Sequence, residues 1–227
     1  MRNFSSTKRA KIMALAAAGL VLGVGGTVTL AAWVDNEWVY GGTGGDTPGV
    51  GTSEFVVEQN RTTPYVNDVP SWQEHPANPG GSLTFTGANA LALTPGDFTY
   101  SRVSLRTTTD SIGGNVQLEA AEAAAGVTVD DAGGLLWDAI ELRVGVIELD
   151  DAVAAPVCND AFFDTADFVV ITGGLDDAAA IDIPIDGAGS SYLHWCFELA
   201  LPDDADSELQ GRTIAPAWEF VSTSVSV

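Results

Sequence analysis

The chain has 227 residues, enough for one large domain or two small ones, with 31 acidic against 9 basic residues. Arg2, Lys8, Arg9 and Lys11 precede every acid, which leaves five arginines against 31 acids beyond Ala32, a net charge of −26. Such a surface excludes nucleic acid and anionic lipid as partners, and the absence of lysine after Lys11 excludes lysine-based isopeptide crosslinks there.

A basic head is followed by "IMALAAAGLVLGVGGTVTLAA", residues 12–32, which carry no charge and end in small residues. This is the pattern of an export signal. It predicts an N-terminal signal helix over 1–32, cut between Ala32 and Trp33. The run is long enough to span a bilayer, which needs ~20 apolar residues. Gly19, Gly23, Gly25 and Gly26 weaken it as a helix. Cleavage is therefore the expectation, with membrane contact only through an uncleaved signal.

Residues 33–53 form a segment of their own. "WVDNEWVY" is a short strand-like piece with apolar Trp33, Val34, Trp38, Val39 and Tyr40. "GGTGGDTPGVG", residues 41–51, holds six glycines in eleven residues. A glycine-rich tether of that length spans about 17–20 Å. The first piece is thus placed to leave its own domain and add as a strand to another sheet.

Residues 54–227 are expected to form one β domain. "SEFVVEQN" reads as a strand. Pro64, Pro70, Pro76 and Pro79 make 64–81 an extended loop. Apolar alternation then recurs in "SLTFTGANALALTPGD", "FTYSRVSLRTTT", "NVQLEA", "AIELRVGVIELD", "DFVVITG", "SSYLHWCFELAL" and "TIAPAWEFVSTSVSV", separated by Gly, Asp and Pro turns. Only "LEAAEAAAG", residues 118–126, suggests a helical turn or two. Many short strands with such breaks predict an antiparallel sandwich or barrel.

"SSYLHWCFELAL" carries the clearest pattern. Leu193, Trp195, Phe197, Leu199 and Leu201 share one face, and Tyr192, His194, Cys196 and Glu198 share the other. The first set is expected in the core. The second is expected outside, with His194 kept partly charged by a nearby carboxylate. Cys158 and Cys196 are the only cysteines, and an even count in an exported chain predicts one disulfide.

For catalysis the sequence offers little. His75 and His194 are the only histidines, and neither sits in an HExxH, so a zinc site has no spacing to support it. No G-x-S-x-G elbow is present. Asp150, Asp151, Asp160, Asp164 and Asp167 crowd one loop, and Asp203, Asp204, Asp206 and Glu208 another. Clustered carboxylates suit calcium, but no EF-hand spacing appears, and a solvated acidic face is the simpler reading. No cofactor is expected, and calcium is the one ion kept in view.

Three stretches resemble a known family. They are the signal followed by "AAWVDNE", the run "LTPGDFTYSRVSLRTTTDSIGGNVQL", and "YLHWCFELALPDDADSELQGRTIAPAWEF". Their order and spacing resemble the TasA/camelysin-like proteins exported through a SipW-type signal peptidase, in their actinobacterial branch. The resemblance implies an all-β, antiparallel jelly-roll-like β-sandwich behind the signal helix. It also implies a secreted, non-enzymatic surface or fibre subunit that self-associates by donating its N-terminal strand. The long Gly/Pro-rich stretch at 41–81 departs from that pattern. Two alternatives accompany this expectation: a camelysin-type zinc metallopeptidase and a calcium-dependent adhesin or binding module.

Overall fold

The computed structural model describes residues 36–39, 49–150 and 155–225. The chain divides into two compact units, residues 1–51 and 52–227. In the first, Asn36–Val39 have no regular structure, and Trp38 and Val39 are exposed. Ala32, Trp33, Val34, Tyr40 and the expected signal helix lie outside the described residues.

The second unit is mostly antiparallel β-sheet. Its strands are β1 (Val57–Asn60), β2 (Thr86–Gly87), β3 (Phe98–Thr107), β4 (Gly114–Leu118), β5 (Glu122–Ala123), β6 (Glu141–Leu149), β7 (Phe168–Gly174), β8 (Ile183–Ile185), β9 (Tyr192–Ala200), β10 (Pro216–Ala217) and β11 (Phe220–Ser224). One short helix, α1, spans Leu135–Ala139. The large sheet runs β1-β3-β9-β6-β7, with β2 also paired to β3. A three-stranded sheet runs β11-β4-β8, and β10 pairs with β5.

Period-two alternation produces the core. Leu193, Trp195, Phe197 and Leu199 of β9 join Val103 and Leu105 of β3, as their spacing predicts. Val116 and Leu118 of β4 and Ile183 and Ile185 of β8 come from the three-stranded sheet. Trp195 meets Phe220 of β11 edge-on at 5.1 Å between ring centroids. Each large side chain so buried contributes ~1.5–3 kcal/mol.

The other face of β9 is buried too, which alternation alone does not foretell. Two irregular segments cover it. In residues 61–73, Tyr65 packs edge-on against His194, and Trp72 packs against Tyr192. In residues 155–167, Cys158 is disulfide-bonded to Cys196, with their Cα atoms 5.3 Å apart. Phe162 and Phe163 lie over Gly145 of β6, where a Cβ would stand 3.2 and 3.1 Å from their rings. A side chain at 145 would make these rings give way by a few tenths of an ångström.

Two local readings are corrected. Residues 118–126 are not helical. Ala121 N–H donates to Leu175 O and Ala124 N–H to Ala215 O, each at 2.8 Å, so neighbouring chain segments hold the stretch extended. The short helix instead follows the turn "DDAGG". There the Asp131 carboxylate accepts from the amides of Leu136 and Trp137, both at 3.0 Å, which supplies partners that a first turn otherwise lacks. Among the described residues no helix is long and apolar enough to cross a membrane.

Candidate functional site: an open groove and an unpaired strand edge

A groove of about 1370 Å³ opens in the second unit, beyond the ~300–1,000 Å³ of most small-molecule pockets. Val103, Leu105, Phe197 and Leu199 of the large sheet form its buried base, and Trp218 and Phe220 also line it, packed against Phe197 at 4.9 and 6.4 Å between ring centroids. Leu83, Phe85 and Leu93 enter from the connection before β3. The alternation of that connection predicts a long strand, but only Thr86–Gly87 pair. Its apolar residues remain only partly buried against the core, and Leu91 at the rim is 84 % exposed. An apolar cleft of this size on a domain surface marks an interaction site.

One wall of the groove is the outer edge of β11. Among the described residues this strand pairs only with β4. The Glu119 amide donates to Glu219 O, and the Val225 amide to Gly113 O. Those bonds turn the odd-numbered backbone groups toward β4, because antiparallel pairing alternates. Phe220, Ser222 and Ser224 therefore direct their N–H and C=O away from β4, and no described residue bonds them. Phe220 and Ser222, half-buried, point their side chains inward while the exposed Val221 and Thr223 point out. Such an edge, free of partners among the described residues and beside partly buried apolar side chains such as Phe85, Trp218 and Phe220, is a template for an added strand.

The buried outer face of the large sheet holds a different constellation. His194 is 0 % exposed. Its Nδ1 lies 2.7 Å from the Ser104 hydroxyl, while its Nε2 has no partner among the described residues. The Arg102 guanidinium stacks on Tyr65, 4.8 Å from the ring centroid, and that of Arg106 on Trp72 at 4.3 Å. Burial, reinforced by Arg102, pushes the His194 imidazole down to about 4. The expected outward, partly charged His194 is thus corrected: it is buried and neutral, and what faces it is Arg102 with Tyr65 and Tyr192 rather than a carboxylate.

A pH dependence follows. Unfolded His194 takes up its proton near 6.5, whereas the folded state resists until about 4. Between these values the unfolded chain binds more protons, so stability falls as pH falls. The contribution is complete above pH ~6.5 and declines to nothing near 4, by about 3 kcal/mol at most. Urea unfolding at stepped pH is expected to show this decline, and His194→Gln is expected to flatten it.

The other expected site residues are dispersed. His75 lies 2.8 Å from Arg61 and does not join His194. Asp160 pairs with Arg143, Asp167 accepts from the Glu148 amide, and Asp206 caps the turn at Ser207–Leu209. Among the described residues no group of three or more His, Cys, Asp or Glu is placed to hold a metal ion. Of the five apolar residues expected in a donated strand, the structure describes Trp38 and Val39 alone, both in irregular chain. Sequence patterning does not reveal the groove, and the one signal for it is a run of alternating apolar residues, 83–93, that finds almost no strand partner among the described residues. No protein-family model matches the chain, and no match was found among curated proteins.

Proposed function

We propose that this chain is an exported, non-enzymatic surface protein, folded as a jelly-roll-like β-sandwich, that serves as a subunit of extracellular fibres or matrix. After removal of the signal, "WVDNEWVY" of one copy adds to the groove of the next. The observation that carries this reading is the groove with its unpaired β11 edge. It offers partly buried apolar side chains, among them Phe85, Leu93, Trp218 and Phe220, together with free backbone groups, and an extended peptide carrying large apolar residues meets both. A disulfide in a chain with a signal-like start fits an oxidising compartment. The glycine-rich 41–51 gives the donated segment its reach.

Two variants of the processed chain test this by electron microscopy and light scattering. Deleting residues 33–40 is expected to abolish polymers and leave the melting of the domain nearly unchanged. Ser222→Pro is expected to do the same, because the lost N–H faces away from β4 and a proline is tolerated on a strand edge. Polymers that persist in either variant, or a deletion that unfolds the domain, overturn the proposal.

A further inference from the structure

Beyond Ala32 the chain has five cations, all arginines, and each is engaged within the fold. Arg61 donates to Ser82 O at 3.0 Å and meets His75. Arg102 donates to Thr62 O at 2.6 Å and lies on Tyr65. Arg106 pairs with Glu58 and lies on Trp72. Arg143 forks onto Glu198, reaches Asp160 and lies on Phe163. Arg212 pairs with Asp131 and donates to the carbonyls of Ala132 and Glu208. None of the five is in the exposed class. The second unit therefore offers no free cation to another molecule, while most of the 31 acids have none to neutralise them.

The groove repeats this imbalance. Glu74, Glu119, Glu122, Asp206 and Glu219 line it, and none forms an ion pair with a described residue. The segment proposed to enter it carries Asp35 and Glu37. Apolar contact favours entry, but the unpaired acids along the approach oppose it: the arginine in the lining, Arg212, is already paired with Asp131, and the α-ammonium that cleavage gives Trp33 offsets only one of the segment's two acids.

We infer that self-association through this groove is gated by ionic strength: dilute salt holds the copies apart, and added ions let them join. This rests on the fibre-subunit reading and deepens it. The range of the repulsion sets the gate. The screening length is ~30 Å at 0.01 M salt and ~10 Å at 0.1 M. In the first case a copy feels its neighbour's whole acidic face before the segment reaches the groove. In the second only the charges at the rim remain. Steering between unlike charges speeds association by ~10–10³-fold and weakens with salt. Between like charges the same field acts with the opposite sign, so salt accelerates assembly.

The experiment follows elongation of the processed chain on sheared polymer seeds, by light scattering, from ~0.01 to ~0.3 M ionic strength. Sodium chloride and sodium sulfate are compared at equal ionic strength. The elongation rate is expected to rise on the order of 10-fold or more and equally in both salts. The triple variant Glu119→Gln, Glu122→Gln, Glu219→Gln is expected to elongate faster in dilute salt and to respond less to added salt. Polymers that grow at a rate salt does not raise overturn the gate and leave the fibre subunit standing. A response much larger in sulfate overturns it as well, since that marks strengthened apolar burial rather than screening. No polymer at any ionic strength overturns the fibre reading and the gate with it.

Discussion

A Cys158→Ser/Cys196→Ser double variant is expected to melt about 8–16 °C below the parent chain. The bond closes a loop with a sequence separation of 38. For that length the chain-entropy relation gives ~4 kcal/mol of stabilisation, acting through the unfolded state, and a domain of this size shifts by ~2–4 °C per kcal/mol. The structure adds a reason for the full effect. Residues 155–167 have little regular structure, only the turn at Asp160–Phe162. What holds them is the packing of Phe162, 3 % exposed, over Gly145, the ion pair of Asp160 with Arg143, and the disulfide. With the covalent tie gone, the segment is free to lift from β6 and β9. Scanning calorimetry of both chains measures the shift, and non-reducing peptide mapping confirms the bond in the parent. A shift under about 2 °C, less than 1 kcal/mol by the same scaling, would mean that packing alone fixes the segment.

That layer also shows what a linear pattern conveys and what it omits. β3, β6 and β9 alternate over nine or ten residues each, long enough to establish a strand and its core face, and Val103, Leu105, Trp195 and Phe197 lie where alternation puts them. Alternation cannot show that the second face of β9 is roofed. The roof comes from residues 61–73 and 155–167, neither adjacent to β9 in the chain, and neither has a period to read. His194 illustrates the consequence. A polar residue on the non-core face reads as solvated, yet Tyr65 and Trp72 close over that face and leave the imidazole neutral. Short elements escape for a related reason. α1 rests on Asp131 reaching two amides ahead of it, and β8 is three residues long, so neither has enough turns or pleats to produce a pattern. The groove is the least legible feature, because it is a gap between sheets: its lining reads as ordinary core, and only the topology reveals that the edge of β11 lacks a neighbour among the described residues.

Arg143→Met is expected to destabilise the domain by ~3–5 kcal/mol, the cost of leaving a buried charge without its partner. Glu198 sits mid-sheet on β9 and is 5 % exposed. Arg143 holds both its oxygens, Nε to Oε1 at 3.0 Å and Nη2 to Oε2 at 2.7 Å. Among the described residues it is the only cation paired with that carboxylate. The pair is also read by a neighbour: burial, then Glu198, pushes the Tyr100 hydroxyl up to about 12. Methionine keeps much of the arginine stem's volume but gives up the guanidinium's contact with Phe163, 3.9 Å from the ring centroid, and its pair with Asp160, so the double variant is needed to separate those losses from the stranded carboxylate. Glu198→Gln is expected to cost less, ~1–2 kcal/mol, because the guanidinium is 30 % exposed and water solvates it. In the double variant Arg143→Met/Glu198→Met no buried charge remains unpaired, and most of the stability is expected to return. Urea unfolding of the parent, Arg143→Met, Glu198→Met and the double variant at neutral pH closes the cycle, with Glu198→Gln measured beside them. A double variant as unstable as Arg143→Met would assign the loss to packing against Phe163. Recovery would assign it to Glu198, a carboxylate held in the sheet only because its arginine lies across it.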